Sequence, residues 1–202
     1  AATVDVILSR SITGNSIGAK LTIPQGTLFT DSSGNSWLSA RDVTWYSNVT
    51  TCKVPIIQHE KYTASALNNM LIPTGDRVIV HLGTLPNGKY YEQGSMSLQI
   101  GGETWVLVDT FAKSKPTDKH FMVSVDEALN PYIMFGDGTF GKKPAAGAKI
   151  TNVVFYLTNG TQGNVKSNTI TSVPSVISSS ITDATVSNAY DAGGGSNYEN
   201  FT

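Results

Sequence analysis

Short apolar runs separated by turn residues recur along this chain, and that spacing most limits what it can fold into. Residues 3–8 (TVDVIL), 76–82 (DRVIVHL), 95–100 (SMSLQI), 103–108 (ETWVLV), 120–125 (HFMVSV) and 150–157 (ITNVVFYL) have the length and pattern of strands. Between such runs stand Pro24-Gln25-Gly26, residues 31–35 (DSSGN), Pro73-Thr74-Gly75, Pro86-Asn87-Gly88 and Gly101-Gly102, all turn chemistry. Residues 95–108 read as a hairpin about Gly101-Gly102. Pro55 demotes residues 53–58 (KVPIIQ) to an edge or irregular strand. Residues 61–70 (KYTASALNNM) are the one internal stretch with a helical pattern, and residues 178–189 read as linker or frayed helix. The expectation is a mainly β protein of β-sandwich or partial-barrel subdomains with few helices. Its expected parts are an N-terminal β subdomain (1–66), a divergent or inserted segment (67–100), a second β subdomain (101–176) and a linker leading to a truncated helix (177–202).

Composition agrees with strands. Charged residues make up only 14% of the chain, whereas helices lean on Glu and Lys. The net charge of −1 comes without a basic block, so neither nucleic acid nor a membrane is expected as partner. Cys52 is alone and reads as a small buried hydrophobe. No apolar run reaches membrane-spanning length, and no signal peptide is visible. The chain starts without Met. Near its end, Gly193-Gly194-Gly195 reads as a hinge before a capping box, Ser196 to Glu199, so the expectation is either that the parent protein continues past Thr202 or that the remainder is disordered.

Residues 135–147 (FGDGTFGKKPAAG) imitate two phosphate motifs. Gly136, Gly138 and Gly141 spell the dinucleotide fingerprint, and Gly141-Lys142 approaches a P-loop. Both motifs need a helix N-terminus behind the glycines. Here Lys143 stands where a P-loop has Ser or Thr, Pro144 follows, and a β run begins at Ile150, leaving no room for that helix. The residues are better read as chain reversal. Asp137-Gly138 is a hairpin signal, Gly141 and Gly147 mark turns or close backbone approach, and Lys142-Lys143 is a solvated pair. Phe135, Gly136, Asp137, Gly138, Gly141, Pro144 and Gly147 form a structural motif, with no cofactor, metal or small-molecule substrate expected.

No constellation for catalysis emerges. His59, His81 and His120 are isolated, without metal-ligand spacing. Asp109, Asp118, Asp126 and Asp137 lie at turns or strand ends, where Asp caps its own backbone. Tyr90, Tyr91, Trp105 and Phe111 fit either a binding surface or a core, and strand position favours core. An enzyme is not expected.

Several segments together resemble the baseplate J-like proteins, the wedge proteins of contractile phage tails. They are residues 23–39 (IPQGTLFTDSSGNSWLS), 105–111 (WVLVDTF), 118–121 (DKHF), 133–150 (IMFGDGTFGKKPAAGAKI), 158–165 (TNGTQGNV) and Gly193-Gly194-Gly195-Ser196 with Glu199. The likeness runs from about Ala19 to Glu199, most specifically in FGDG-x-x-G-x-x-P-x-x-G. Residues 67–99 do not align with it, and the family's C-terminal helical part is absent. The resemblance implies a structural virion protein of the tail baseplate, assembled in the host cytoplasm. It would contact other wedge subunits and copies of itself in a ring around the tail hub, a ring that rearranges on contraction. The rival expectation is a β-sandwich carbohydrate-binding or adhesin module of a virion, which requires an exposed aromatic platform.

Overall fold

The computed structural model of the protein describes residues 1–12, 18–67 and 69–197. The Tyr198 and Glu199 half of the expected capping box, and most of the turn cluster at 11–18, lie outside the described residues. The strands in order are β1 (Thr3–Ser9), β2 (Leu21–Ile23), β3 (Leu28–Asp31), β4 (Ser36–Ser39), β5 (Val43–Trp45), β6 (Thr51–Ile57), β7 (Glu60–Thr63) and β8 (Ile79–His81). There follow β9 (Tyr90–Tyr91), β10 (Ser97–Ile100), β11 (Glu103–Leu107), β12 (His120–Val125), β13 (Pro131–Phe135), β14 (Ile150–Thr158), β15 (Ile170–Ser172) and β16 (Thr185–Asn188). One short helix, α1 (Ser175–Ser178), and 3₁₀ turns at Ser65–Leu67 and Gly160–Gly163 complete the described elements. The fold is mainly β, with both large sheets curling toward barrels rather than stacking flat.

Two compact units form, one from residues 1–60 with the segment from Thr158 onward, the other from residues 61–157. In the first, a six-stranded sheet runs β15-β3-β4-β6-β1-β16 and nearly closes on itself. β1 pairs with β6 along its whole length, from Thr3↔Ile57 to Ser9↔Thr51. Strand alternation turns Val6, Leu8, Val54 and Ile56 inward, where they pack with Phe29 and Trp37 in a core that excludes solvent. Asn188, fully buried, closes the gap between the end strands. Its Oδ1 accepts the N–H groups of Thr169 (3.0 Å) and Ile170 (2.9 Å), and its Nδ2 donates to the Lys166 and Tyr190 carbonyls. β2 and β5 form a small separate ribbon carrying Trp45. The buried Arg10 guanidinium lies 4.7 Å from the Trp45 ring centroid and donates to the Val49, Ala19 and Tyr46 carbonyls, so this cation is held by carbonyls and a ring face.

The second unit is a half-barrel sheet ordered β7-β14-β10-β11-β12-β13-β8, with β9 beside β14. Its core includes Leu98, Trp105, Phe121, Ile133, Phe155 and Leu157. The β10–β11 hairpin forms about Gly101-Gly102, as its sequence implies. β11 and β12 are parallel, with Val106 opposite His120, so the intervening loop crosses over.

Three local expectations are corrected. The described residues within 61–70 do not form an α-helix: β7 continues to Thr63, and a 3₁₀ turn follows at Ser65–Leu67. Tertiary pairing overrides a weak propensity here, because Tyr62 packs on Phe155 (5.0 Å between rings) and the Ala64 N–H donates to the Val153 carbonyl. β6 is central despite Pro55. The Pro55 carbonyl accepts the Ala40 N–H just past the end of β4, so the N–H that proline lacks faces the place where β4 has ended. Residues 178–189 contain β16, which pairs with β1 from Val6↔Asn188 to Ser9↔Thr185. Its sequence looks like linker because the polar Asn188 is one of its inward residues.

Candidate functional site

The 135–147 loop is built by its own backbone. β13 lies between β12 and β8, while β14 lies beside β7, β9 and β10, so the expected Asp137-Gly138 hairpin between them does not form. The loop instead folds back on itself. A Cβ at Gly136 would overlap the Gly141 carbonyl and come within 2.6 Å of the Phe140 oxygen. Gly138 (φ +95°) donates its N–H to the Gly141 carbonyl at 3.0 Å. Gly141 itself (φ +82°) rests against the Phe111 ring. Asp137 Oδ1 accepts the N–H groups of Thr139 (2.7 Å) and Phe140 (2.9 Å). The Phe140 and Thr139 bonds hold the Asp137 carboxyl below the usual carboxylate range, with Arg77 adding a smaller pull. The Lys142 N–H goes to the Asp118 carbonyl and the Gly147 N–H to the Ile72 carbonyl. The backbone donors that a phosphate would need at Gly138, Thr139 and Phe140 are thus engaged within the loop. Phe135 and Pro144 are buried, and Gly147 takes φ +77°. Lys142 and Lys143 are half-exposed, 4.0 Å from Glu103 and 3.8 Å from Asp76 respectively.

The other candidates separate instead of converging. Asp118 caps the Lys115 N–H, and Asp126 caps those of Ala128 and Asn130, as carboxylates in turns do. His120 Nδ1 lies 2.8 Å from the Ser114 hydroxyl, and His81 packs on the Tyr132 ring at 5.4 Å. Tyr91 and Trp105 are core residues, where Tyr91 packs on Phe155 and Trp105 on Phe135. An aromatic platform for sugar therefore loses both of them.

The segments at 23–39, 158–165 and 193–196 meet in the first unit. Asp31 accepts from the Ser33 and Asn35 N–H groups, from Asn35 Nδ2 (2.9 Å) and from the buried Trp37 indole (3.1 Å). Burial alone would raise its pKa, but the Asn35 and Trp37 bonds outweigh that and hold the carboxyl below its ordinary value. Asn35 Oδ1 in turn accepts from Asn159 Nδ2. Asn164 and Gly195 bond reciprocally, Nδ2 to carbonyl at 2.9 Å and N–H to Oδ1 at 2.8 Å. A Cβ at Gly195 would overlap the Gly160 carbonyl oxygen and lie 2.9 Å from Asn164 Oδ1. Gly193 bridges to Thr3 through both backbone groups. The three glycines expected as a hinge are therefore tied at both ends.

One feature was not found by sequence reasoning. Beside the 135–147 loop an apolar groove of about 590 Å³ is lined by Ile79, Phe111, Met122, Met134 and Phe140, with Arg77 at its rim. The available signal was apolar residues at consecutive positions of β12 and β13, which load both faces of those strands. Comparison of this chain with family models, with curated proteins and with solved structures returned no match.

Proposed function

We propose that this chain is a structural component of a phage tail baseplate wedge. It would belong to the ring around the tail hub, bind other wedge subunits and copies of itself, and take part in the rearrangement that accompanies contraction. The observation that carries this reading is the meeting of three segments bearing the resemblance: Asp31 and Asn35, Asn159 and Asn164, and Gly195 are linked by hydrogen bonds although they come from distant parts of the chain. Residues that share a signature and also brace one another behave as framework, which is the role a ring-forming scaffold asks of them. The loop at 136–141 supports the same reading, since its glycines serve backbone packing.

Cryo-electron microscopy of purified virions tests the proposal. Density matching the two β units should appear in the baseplate ring around the hub. Density for this chain only at fibre tips would refute it and favour the adhesin reading.

A further inference from the structure

The half-barrel sheet ends in an edge strand directly beside the apolar groove. β8 is its terminal strand and, among the described residues, pairs only with β13. The Phe135 N–H donates to the Val78 carbonyl, and the Leu82 N–H to the Pro131 carbonyl, both at 3.2 Å. Antiparallel alternation therefore points the backbone of Val78, Val80 and Leu82 at β13, and that of Ile79 and His81 away from it. The side chains follow a second alternation. Val78 and Val80 are buried, whereas Ile79 and His81 stand exposed on the outer face. On that face Ile79 is opposite Met134, and Met134 is opposite Met122. Three apolar side chains thus form one row across three strands, walled by Phe111 and by Phe140, which is 54% exposed.

Charge adds a direction. Arg77 lies two residues before Ile79, at the groove rim. Its neighbour Asp137 already accepts two backbone N–H groups, and among the described residues no carboxylate lies within 4.0 Å of the guanidinium. The rim therefore offers a cation whose neighbouring carboxylate, Asp137, lies beyond ion-pair distance.

We propose that this edge receives an extended strand from a partner protein, apolar at alternate positions and carrying an acidic side chain next to Arg77. The unpaired N–H and C=O groups of Ile79 and His81 continue the ladder onto that strand. A leucine-sized side chain enters the groove over Met122 and Met134, whose flexible thioethers adjust to its shape. The acid closes the charge on Arg77 in a charge-assisted hydrogen bond. The inference goes beyond the wedge reading. It rests on this unit's geometry and stands or falls independently of where the protein sits in a virion.

All four methionines, Met70, Met96, Met122 and Met134, lie in this unit, so ¹³C-methyl methionine NMR of the full chain reads the groove directly. The probe is a blocked synthetic peptide, Thr-Leu-Thr-Leu-Thr-Asp-Thr. Titration should shift the Met122 and Met134 methyl signals, leave Met96 in place, and slow exchange of the Ile79 and His81 amides about tenfold. Ile79→Pro removes an outward N–H without touching the β13 ladder, and should weaken binding about tenfold with the Met96 signal unchanged. Arg77→Gln should weaken the aspartate peptide but not its asparagine counterpart. The proposal is overturned if the peptide at millimolar concentration moves neither methyl, or if Ile79→Pro leaves its affinity unaltered. It is also overturned if free leucine amide moves the same methyls equally, which would mean a small-molecule groove. Concentration-dependent shifts of these methyls without peptide would assign the edge to a second copy of the chain and overturn it too.

Discussion

Gly136 and Gly138 look equivalent in sequence, yet they are glycine for different reasons, and that difference predicts an order of damage. Gly138 has φ +95°, and the nearest atom to an added Cβ is 3.9 Å away. Its alanine variant meets only the left-handed backbone cost of about 1–2 kcal/mol. At Gly136 the Cβ would overlap the Gly141 carbonyl and stand 2.6 Å from the Phe140 oxygen, both rigid backbone. Reaching ordinary contact requires the Phe140 oxygen to retreat by about 0.8 Å, the gap between 2.6 Å and the 3.4 Å at which normal contact begins, and the Gly141 carbonyl by more. That shift breaks the 3.0 Å bond from the Gly138 N–H to the Gly141 carbonyl. Overpacking of about 1–3 kcal/mol plus a lost hydrogen bond of about 1 kcal/mol gives about 3 kcal/mol. For a unit of this size that lowers Tm by about 12 °C or more. The assay is thermal unfolding of Gly136→Ala and Gly138→Ala followed by the four methionine methyls, which report this unit alone. An explanation based on φ alone predicts the opposite order. If Gly138→Ala proves the more damaging, the reasoning from backbone contact is wrong.

Asp31→Ala should cost about 3 kcal/mol, because the buried Trp37 indole loses its acceptor and the turn amides lose a charged one; an unchanged urea midpoint would contradict this. Its carboxyl is depressed in the folded state, so the stability it contributes is complete above the ordinary carboxylate range and disappears as pH falls below it. Asp31→Asn should accordingly flatten the acid limb of a stability–pH curve, and a limb of unchanged slope would show that the charge is immaterial. Asn188→Ala orphans the N–H of buried Ile170 and should destabilise the barrel closure by about 3 kcal/mol. Hydrogen exchange at Ile170 should then accelerate far more than at Val54, whereas equal acceleration would mean global rather than local loosening.

What was legible in the sequence was whatever a single strand decides for itself. TVDVIL became β1 because alternation alone places Val6 and Leu8 inward, and SMSLQI-GG-ETWVLV became a hairpin because both strands and the turn are local. Asp126 and Asp137 were readable as turn caps for the same reason. What stayed hidden depends on a second segment. TVSN gives no sign that it will complete a barrel, since Asn188 becomes an inward residue only when residues 166–170 supply three of its four partners and Tyr190 the fourth. Pro55 misleads because the strand that would miss its N–H has already ended. The groove is assembled from Arg77 and Ile79, Phe111, Met122, Met134 and Phe140, residues that adjoin only through the β8-β13-β12 order. The FGDG loop sits between these cases. Its turn character is local, but its closure is not carried by the Asp137-Gly138 dipeptide that signals it. Gly136 approaches Gly141 across five residues, and Gly141 is pressed against Phe111 from another strand connection, so the motif's spacing is set by packing and only its ends by turn propensity.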